Sequence, residues 1–171
     1  EAYIDFGGET ALPLINKYDN LVVVRTFSKS RSMAGLRIGY AISNSELIKA
    51  LNDVKYSYNS YTMNRPSLVL GVESIHDDAY FREKVGQIIA TRERFVKEIA
   101  ELGFTCLPSS ANFVFATHES IPAKEIFTAA KENNIYVRYF DKPRIDNYLR
   151  ISIGTDAEMD AFVSFLTKYI K

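Results

Sequence analysis

The stretch from Val22 to Tyr40, VVVRTFSKSRSMAGLRIGY, restricts what this chain can fold into more than any other part of it. Leu21 to Val24 are apolar without a break, the pattern of a strand covered on both faces in a parallel sheet; a half-exposed strand would alternate. A strand is therefore predicted over Leu21–Arg25. It ends in a small polar loop, Thr26-Phe27-Ser28-Lys29, so that one lysine stands where a parallel strand stops. A further strand is predicted over Leu36–Ile42, with Arg37, Gly39 and Ala41 on one face and Leu36, Ile38, Tyr40 and Ile42 on the other. The small neighbours of Arg37 leave space for a ligand. Ligands of open α/β sheets bind beyond the carboxyl ends of the strands, so hydroxyls, an amine and a guanidinium are expected to converge there.

That set of groups suits an aldehyde that also carries a phosphate. The amine of Lys29 condenses with the aldehyde to an imine, while Arg37, Ser28 and Thr26 hold the phosphate oxygens; pyridoxal 5'-phosphate is that molecule. The string TFSKSRSMAGLRIGY resembles the cofactor-lysine signature of the fold-type I, class I and II aminotransferases. Its Ser-Lys followed by Ala-Gly-Leu-Arg-Ile-Gly is most similar to the histidinol-phosphate branch of that family. A lone lysine after a strand is ordinarily a solvated charge, and a lone strand arginine ordinarily pairs with a carboxylate. Their spacing within one signature is what assigns them chemistry, Arg37 because arginine supplies planar, two-pronged recognition of phosphate.

The same resemblance sets the architecture. Enzymes of the family are about twice as long as these 171 residues, so the chain corresponds to a C-terminal half. Residues 1–76 are then the end of a large cofactor domain with an incomplete, mainly parallel sheet, and residues 77–171 an interdomain helix and a small α+β domain. The chain opens Glu1-Ala2-Tyr3. In the family an aspartate before that tripeptide pairs with the pyridine nitrogen, and the tyrosine hydrogen-bonds the cofactor's phenolic oxygen, which gives Tyr3 its expected role. The other half also supplies a phosphate-binding helix N-terminus, so the chain alone is expected to be inactive, with apolar faces such as Leu21–Val24 uncovered.

Basic and acidic residues number 21 each, giving zero net charge and no basic block; nucleic acid and anionic membrane surfaces are disfavoured as partners. No apolar run approaches the length of a membrane span. One cysteine, Cys106, cannot form an intrachain disulfide and reads as a buried strand residue, which fits a reducing, cytoplasmic setting. His76, beside Asp77-Asp78, and His118, beside Glu119, read as surface histidines, and with no further ligands in range no metal site is expected.

Periodicity assigns the remaining elements. Ala2–Phe6 reads as a short buried strand ended by Gly7-Gly8, and Thr10–Lys17 as a short helix interrupted by Pro13. Asn44 or Ser45 starts a helix, Glu46–Val54, whose Leu47, Ile48, Leu51 and Val54 are expected to pack in the ordinary way. Lys55–Pro66, KYSYNSYTMNRP, has no steady period and reads as a loop; the family's corresponding segment lies near the dimer interface. Ser67–Ile75 is predicted helical, with a break at His76-Asp77-Asp78. Ala79–Leu102 is the longest helix, with Gly103 as its left-handed end. Strands follow at Phe104–Leu107, Asn112–Ala116, Ile135–Tyr139 and Tyr148–Ile153. A helix is predicted over Pro122–Asn133, and Thr155-Asp156-Ala157-Glu158 is a capping box for the closing helix.

On the last strand Leu149, Ile151 and Ile153 alternate onto a core face, while Arg150 and Ser152 point away. Leu149 to Thr155, LRISIGT, resembles the family's substrate-arginine motif, in which the guanidinium takes the substrate carboxylate. Arg138 aligns with a second arginine that serves the substrate's phosphate in the histidinol-phosphate branch, and Asn112-Phe113 matches the family's Ala-Asn-Phe near the substrate. The implied activity is transamination between histidinol phosphate and 2-oxoglutarate or glutamate in histidine biosynthesis, carried out by a homodimer. Its partners are a small amino donor and a 2-oxo acid, and Lys29 first anchors the cofactor and then carries the proton. Two alternatives stay open. One is another enzyme with the same cofactor, an aromatic or general amino-acid aminotransferase or a threonine-phosphate decarboxylase; the other is a non-catalytic dimerisation or binding module.

Overall fold

In the computed structural model, which describes residues 1–170, the apolar run after Asn20 forms strand β1 (Val23–Thr26). It pairs antiparallel with β2 (Gly39–Ile42), Val23 opposite Ile42 and Thr26 opposite Gly39. Among the described residues these two strands have no other partner. The expectation of a parallel neighbour and of burial on both faces is thus not met within this chain. Side chains alternate along β1, so Val23 is buried while Val24 beside it is 56% exposed, on a face that no described segment covers.

Two further elements of this region differ from the sequence expectation, each because the backbone turns left-handed. The strand expected over Ala2–Phe6 is a single 3-10 turn, Ile4–Phe6, which Gly7 closes at φ 105° and which leaves Phe6 fully buried. The strand expected from Leu36 starts only at Gly39. Ala34–Leu36 form a 3-10 turn instead, and Arg37 ends it at φ 57°, so Arg37 sits on a bend rather than on a strand face.

Helix α1 (Ser45–Tyr58) begins where Asn44 Oδ1 accepts the Leu47 N–H at 2.9 Å, and it runs beyond the predicted end into the segment expected to be loop. Asn64 caps α2 (Arg65–His76) in the same way, through the Ser67 N–H at 2.9 Å. The connection without helix is therefore only residues 59–64. None of the apolar side chains of α1 is fully buried: Leu47 and Ile48 are half-buried, whereas Leu51 and Val54 are exposed, Val54 to 68%, so the packing expected for all four is met only at the first turn. Helix α2 rests on its smallest residues. Ser67 donates to the Leu36 carbonyl at 2.8 Å, and a Cβ at Gly71 would come within 2.9 Å of Ile38 Cδ1. Leu68, Val69, Leu70, Val72 and Ile75 are all exposed.

Helix α3 (Asp78–Ala100) follows directly. The chain divides into two compact units, Glu1–Val85 and Gly86–Lys171, and the division falls inside α3. Val85, Phe6, Val23, Phe27 and Ile38 are the buried large apolar residues of the first unit. Lys171, where the second expected segment ends, lies outside the described residues.

The second unit has a sheet of β3 (Phe104–Cys106), β4 (Phe113–His118), β5 (Arg138–Tyr139) and β6 (Leu149–Ser152), ordered β3-β4-β6-β5 and antiparallel throughout. Gly103, at φ 86°, makes the turn from α3 into β3 as expected. Val114 and Ala116 of β4 and Leu149 and Ile151 of β6 point to one face. There they meet Phe95 and Ile99 of α3, Ile126 of α4 (Ala123–Glu132), and Met159, Phe162 and Leu166 of α5 (Asp156–Ile170). Cys106 is half-buried and free, and burial pushes its thiol up from the ordinary value. The capping box at α5 is formed, Thr155 N–H donating to Glu158 Oε2 at 2.7 Å.

Arg94 ties α3 to α5 by donating to Asp156 at 2.9 Å and Asp160 at 2.6 Å, and it also donates to Glu98 of its own helix at 2.9 Å. The Arg94 hydrogen bond, with a second from Thr91, holds the Asp156 carboxyl below its ordinary value; the Thr155 N–H does the same for Glu158. A depressed folded value means that the contribution to stability is complete above the unfolded carboxylate range of about pH 4–5 and is lost as pH falls through the folded value. Thermal melts from pH 7 to pH 3 are expected to show that loss, and Asp156→Asn is expected to start lower and decline less. An unchanged acid limb in Asp156→Asn would exclude this cluster as its source.

Candidate functional site

The sequence-predicted residues fall into two groups, one in each unit. In the first, buried Phe27 pins the loop after β1: its N–H donates to the Ile38 carbonyl, and its own carbonyl accepts from Met33 N–H, both at 3.1 Å. Lys29 is half-buried, and its Nζ lies 5.5 Å from the centroid of the Tyr3 ring, so the turn at Ile4–Phe6 brings these two together. The Thr26 hydroxyl lies 2.8 Å from Ser28 Oγ and 3.2 Å from the Ile38 carbonyl, and it accepts the Ser28 N–H at 3.0 Å. Thr26 therefore spends most of its capacity in shaping the loop, and Ser28 is the hydroxyl it presents. Arg37 is exposed, and its guanidinium donates to the Ala34 carbonyl of its own turn at 2.8 Å.

Two clamps on this loop were not read from the sequence. Ser30 Oγ donates to Asp5 Oδ2. Arg31 donates to the Ser74 carbonyl near the end of α2, where exposed carbonyls and the helix dipole favour a cation, and its Cζ lies 4.1 Å from the Phe81 ring centroid. Ser74 is 43 residues from Arg31, so no local pattern announces the contact.

In the second unit, Arg150 lies on the outward face of β6, opposite Arg138 of β5 in the strand register. Its Cζ is 4.1 Å from the centroid of the Phe113 ring on β4. Arg150 Nε and Asn112 Oδ1 are the two buried side-chain polar atoms without a hydrogen-bond partner among the described residues. Neither Arg138 nor Arg150 has an ion-pair partner there. Like charges placed directly opposite on neighbouring strands repel, and unpartnered buried polar atoms cost free energy, so this face suits an anion with more than one oxygen to offer.

His118 is not the surface residue expected from its polar flank. It is 5% exposed, and alternation along β4 turns it inward with Val114 and Ala116. Its Nδ1 accepts the N–H groups of Ser120 at 3.2 Å and Ile121 at 3.0 Å, which leaves Nε2 to donate to the Leu102 carbonyl at 2.9 Å. His76, at the end of α2, is exposed. Among the described residues no group of three His, Cys, Asp or Glu could hold a metal ion, and no helix is long and apolar enough to cross a membrane.

Known proteins resemble the whole chain. The family model described as Aminotransferase class I and II matches residues 1–166. The chain is 51% identical to a histidinol-phosphate aminotransferase of Brachyspira hyodysenteriae and 52% identical to one of Lactococcus lactis subsp. lactis. All of this chain is covered in both cases, against 49% and 48% of the relatives. The chain thus spans about half the length of the curated relatives it matches. Among solved structures, the histidinol-phosphate aminotransferase of Clostridium acetobutylicum is similar with a TM-score of 0.88 at 25% identity, over 99% of this chain and 52% of that one. That of Sinorhizobium meliloti, in complex with pyridoxal-5'-phosphate, gives 0.82 at 29% identity, over 99% of this chain and 47% of that one. The expected fold, a C-terminal portion of such an enzyme, is borne out.

The opposed arginines have a measurable cost. Arg138→Gln removes one of the two charges and is expected to raise the stability of the chain by roughly 0.2–1 kcal/mol in buffer free of multivalent anions. Inorganic phosphate is expected to stabilise the parent chain more than the variant. Thermal melts with and without phosphate check this, and equal phosphate responses would show that the pair does not act as an anion site.

Proposed function

We propose, from the premise that the chain belongs to the class I and II aminotransferase family, that the protein is a pyridoxal-phosphate-dependent histidinol-phosphate aminotransferase of histidine biosynthesis. It exchanges an amino group between histidinol phosphate and the 2-oxoglutarate/glutamate pair, at the full length of its relatives. The observation that carries this reading is Arg138 facing Arg150 across β5 and β6, with Arg150 Nε buried and unpartnered among the described residues, as is Asn112 Oδ1 just ahead of β4. Residues 1–76 then belong to the cofactor domain, and residues 77–171 form the interdomain helix and small domain. A homodimer is supported by exposed Tyr56, Tyr58 and Tyr61, and a cytoplasmic setting by the free Cys106.

The residues from Tyr3 to Arg37 carry groups that fit the cofactor: the Lys29 amine beside the Tyr3 ring, the Thr26 and Ser28 hydroxyls 2.8 Å apart, and the exposed guanidinium of Arg37 match an aldehyde, a phenolic oxygen and a phosphate. When bound, the cofactor draws electrons away from the substrate's α carbon. Lys29 would hold the cofactor through Nζ, and the same nitrogen would serve as the base and acid at that carbon. Tyr3 supplies its hydroxyl to the phenolic oxygen. Ser28 and Arg37 hold the phosphate, and Thr26 keeps Ser28 in place. Asn112, Arg138 and Arg150 bind the anionic end of the substrate and orient it.

In the full-length enzyme Lys29→Ala is expected to abolish the cofactor's lysine-bound absorbance and to lower turnover by roughly three or more orders of magnitude. Arg138→Ala is expected to raise KM for histidinol phosphate roughly tenfold or more, and far more than for glutamate. Near-normal turnover in the first variant would remove Lys29 from its role. An equal rise for both substrates in the second would move the enzyme away from phosphorylated substrates.

A further inference from the structure

Arg138 and Arg150 are direct partners in an antiparallel register, which puts their Cα atoms about 4.5–5.5 Å apart. Unopposed, two guanidinium groups so placed would swing apart into solvent. Among the described residues no carboxylate holds either of them, and each lies over an aromatic ring instead. Arg150 Cζ is 4.1 Å from the Phe113 centroid and Arg138 Cζ is 5.4 Å from the Phe140 centroid, both within the roughly 6 Å reach of a cation–ring attraction.

The rings are themselves braced. Phe140 meets Phe115 edge to face at 6.4 Å, and Phe115 stacks on Tyr148 at 4.6 Å with 13° between the planes. Phe113 and Phe115 lie on the outward face of β4, away from the core that Val114 and Ala116 enter, so the apolar interior does not account for them. A ring and a carboxylate would hold an arginine differently. A carboxylate neutralises the charge and occupies the N–H donors, whereas a ring face attracts the cation and leaves both for an incoming anion.

We infer that Phe113 and Phe140 are positioning residues, Phe113 for Arg150 and Phe140 for Arg138, which hold two mutually repelling guanidinium groups ready for a phosphate-bearing substrate. The inference rests on the role proposed above for the two arginines.

The experiment uses the full-length enzyme and reads KM and kcat separately for histidinol phosphate and for glutamate, in Phe113→Leu, Phe113→Tyr, Phe140→Leu and Phe140→Tyr. Phe113→Leu is expected to raise KM for both substrates roughly tenfold with kcat within about twofold, since a cation over a ring contributes to binding throughout. Phe140→Leu is expected to raise it for histidinol phosphate alone. The tyrosine variants keep the ring and are expected to stay within about twofold of the parent. Leucine variants with unchanged KM, or tyrosine variants as impaired as the leucine ones, overturn the inference. Phe140 lies in the loop after β5, so its pair of variants decides the matter even where Phe113→Leu does not accumulate as folded protein. Arg138→Ala and Arg150→Ala run alongside. If they leave KM unchanged, the arginine site itself fails; if they raise it and the leucine variants do not, only the positioning role fails.

Discussion

Everything in the second unit hangs on the alternation of side chains along β6. Leu149 and Ile151 enter the core beside Val114 and Ala116, and Arg150 between them faces the other way. This strand is central in its sheet, with β4 on one side and β5 on the other. A slip of one residue would drive a guanidinium into a layer made of Phe95, Ile126 and Phe162 and expel two core residues, at a cost no surface contact could offset. The packing that makes the unit stable is therefore also what turns Arg150 outward, and only the placing of its guanidinium is left to the ring of Phe113. Arg138 inherits its position from the same ladder.

The first unit is organised by clamps more than by a core. Its fully or nearly buried large apolar residues are few: Phe6, Val23, Phe27, Ile38 and Val85. The lysine loop is held at Phe27 from below, by Asp5 through Ser30, and at Ser74 through Arg31. A loop fixed at so many points keeps Lys29 beside Tyr3 although neither belongs to a strand.

How far the sequence disclosed all this depends on whether the deciding force is local. The second unit was legible because its signals are periodic and self-contained: Leu149 and Ile151 alternate, Gly103 ends a helix, and Thr155 with Glu158 caps the next one. Reading failed where a single backbone angle decided. Nothing in Gly-Leu-Arg-Ile-Gly says that Arg37 will adopt φ 57°, which moves it off a strand face and onto a bend. The apolar run at Leu21–Val24 announces a strand but not its neighbour, and the neighbour found is antiparallel. His118 is a different kind of miss. The period-two pattern of Val114 and Ala116 already pointed it inward, but the predicted strand stopped two residues short and the polar flank of Glu119 prevailed. Of the residues proposed to act, the charged ones stood out within motifs. Phe140 stood in no motif and Phe113 only as the neighbour of Asn112, because an aromatic side chain in a strand or loop reads as packing until a cation is seen above it.

Helix α2 meets the segment between the strands through Ser67 and Gly71, which face Leu36 and Ile38, and its leucines and valines are exposed. That arrangement inverts the usual map of mutational tolerance. A scoring scheme that equates hydrophobic with essential would protect Leu68, Val69 and Val72 and give Gly71 up freely. In this chain the glycine is the position where one added methyl group meets the tip of the buried Ile38 side chain at 2.9 Å, so the isoleucine has to shift. The information content of the helix, as far as this fold is concerned, resides in what its side chains leave out.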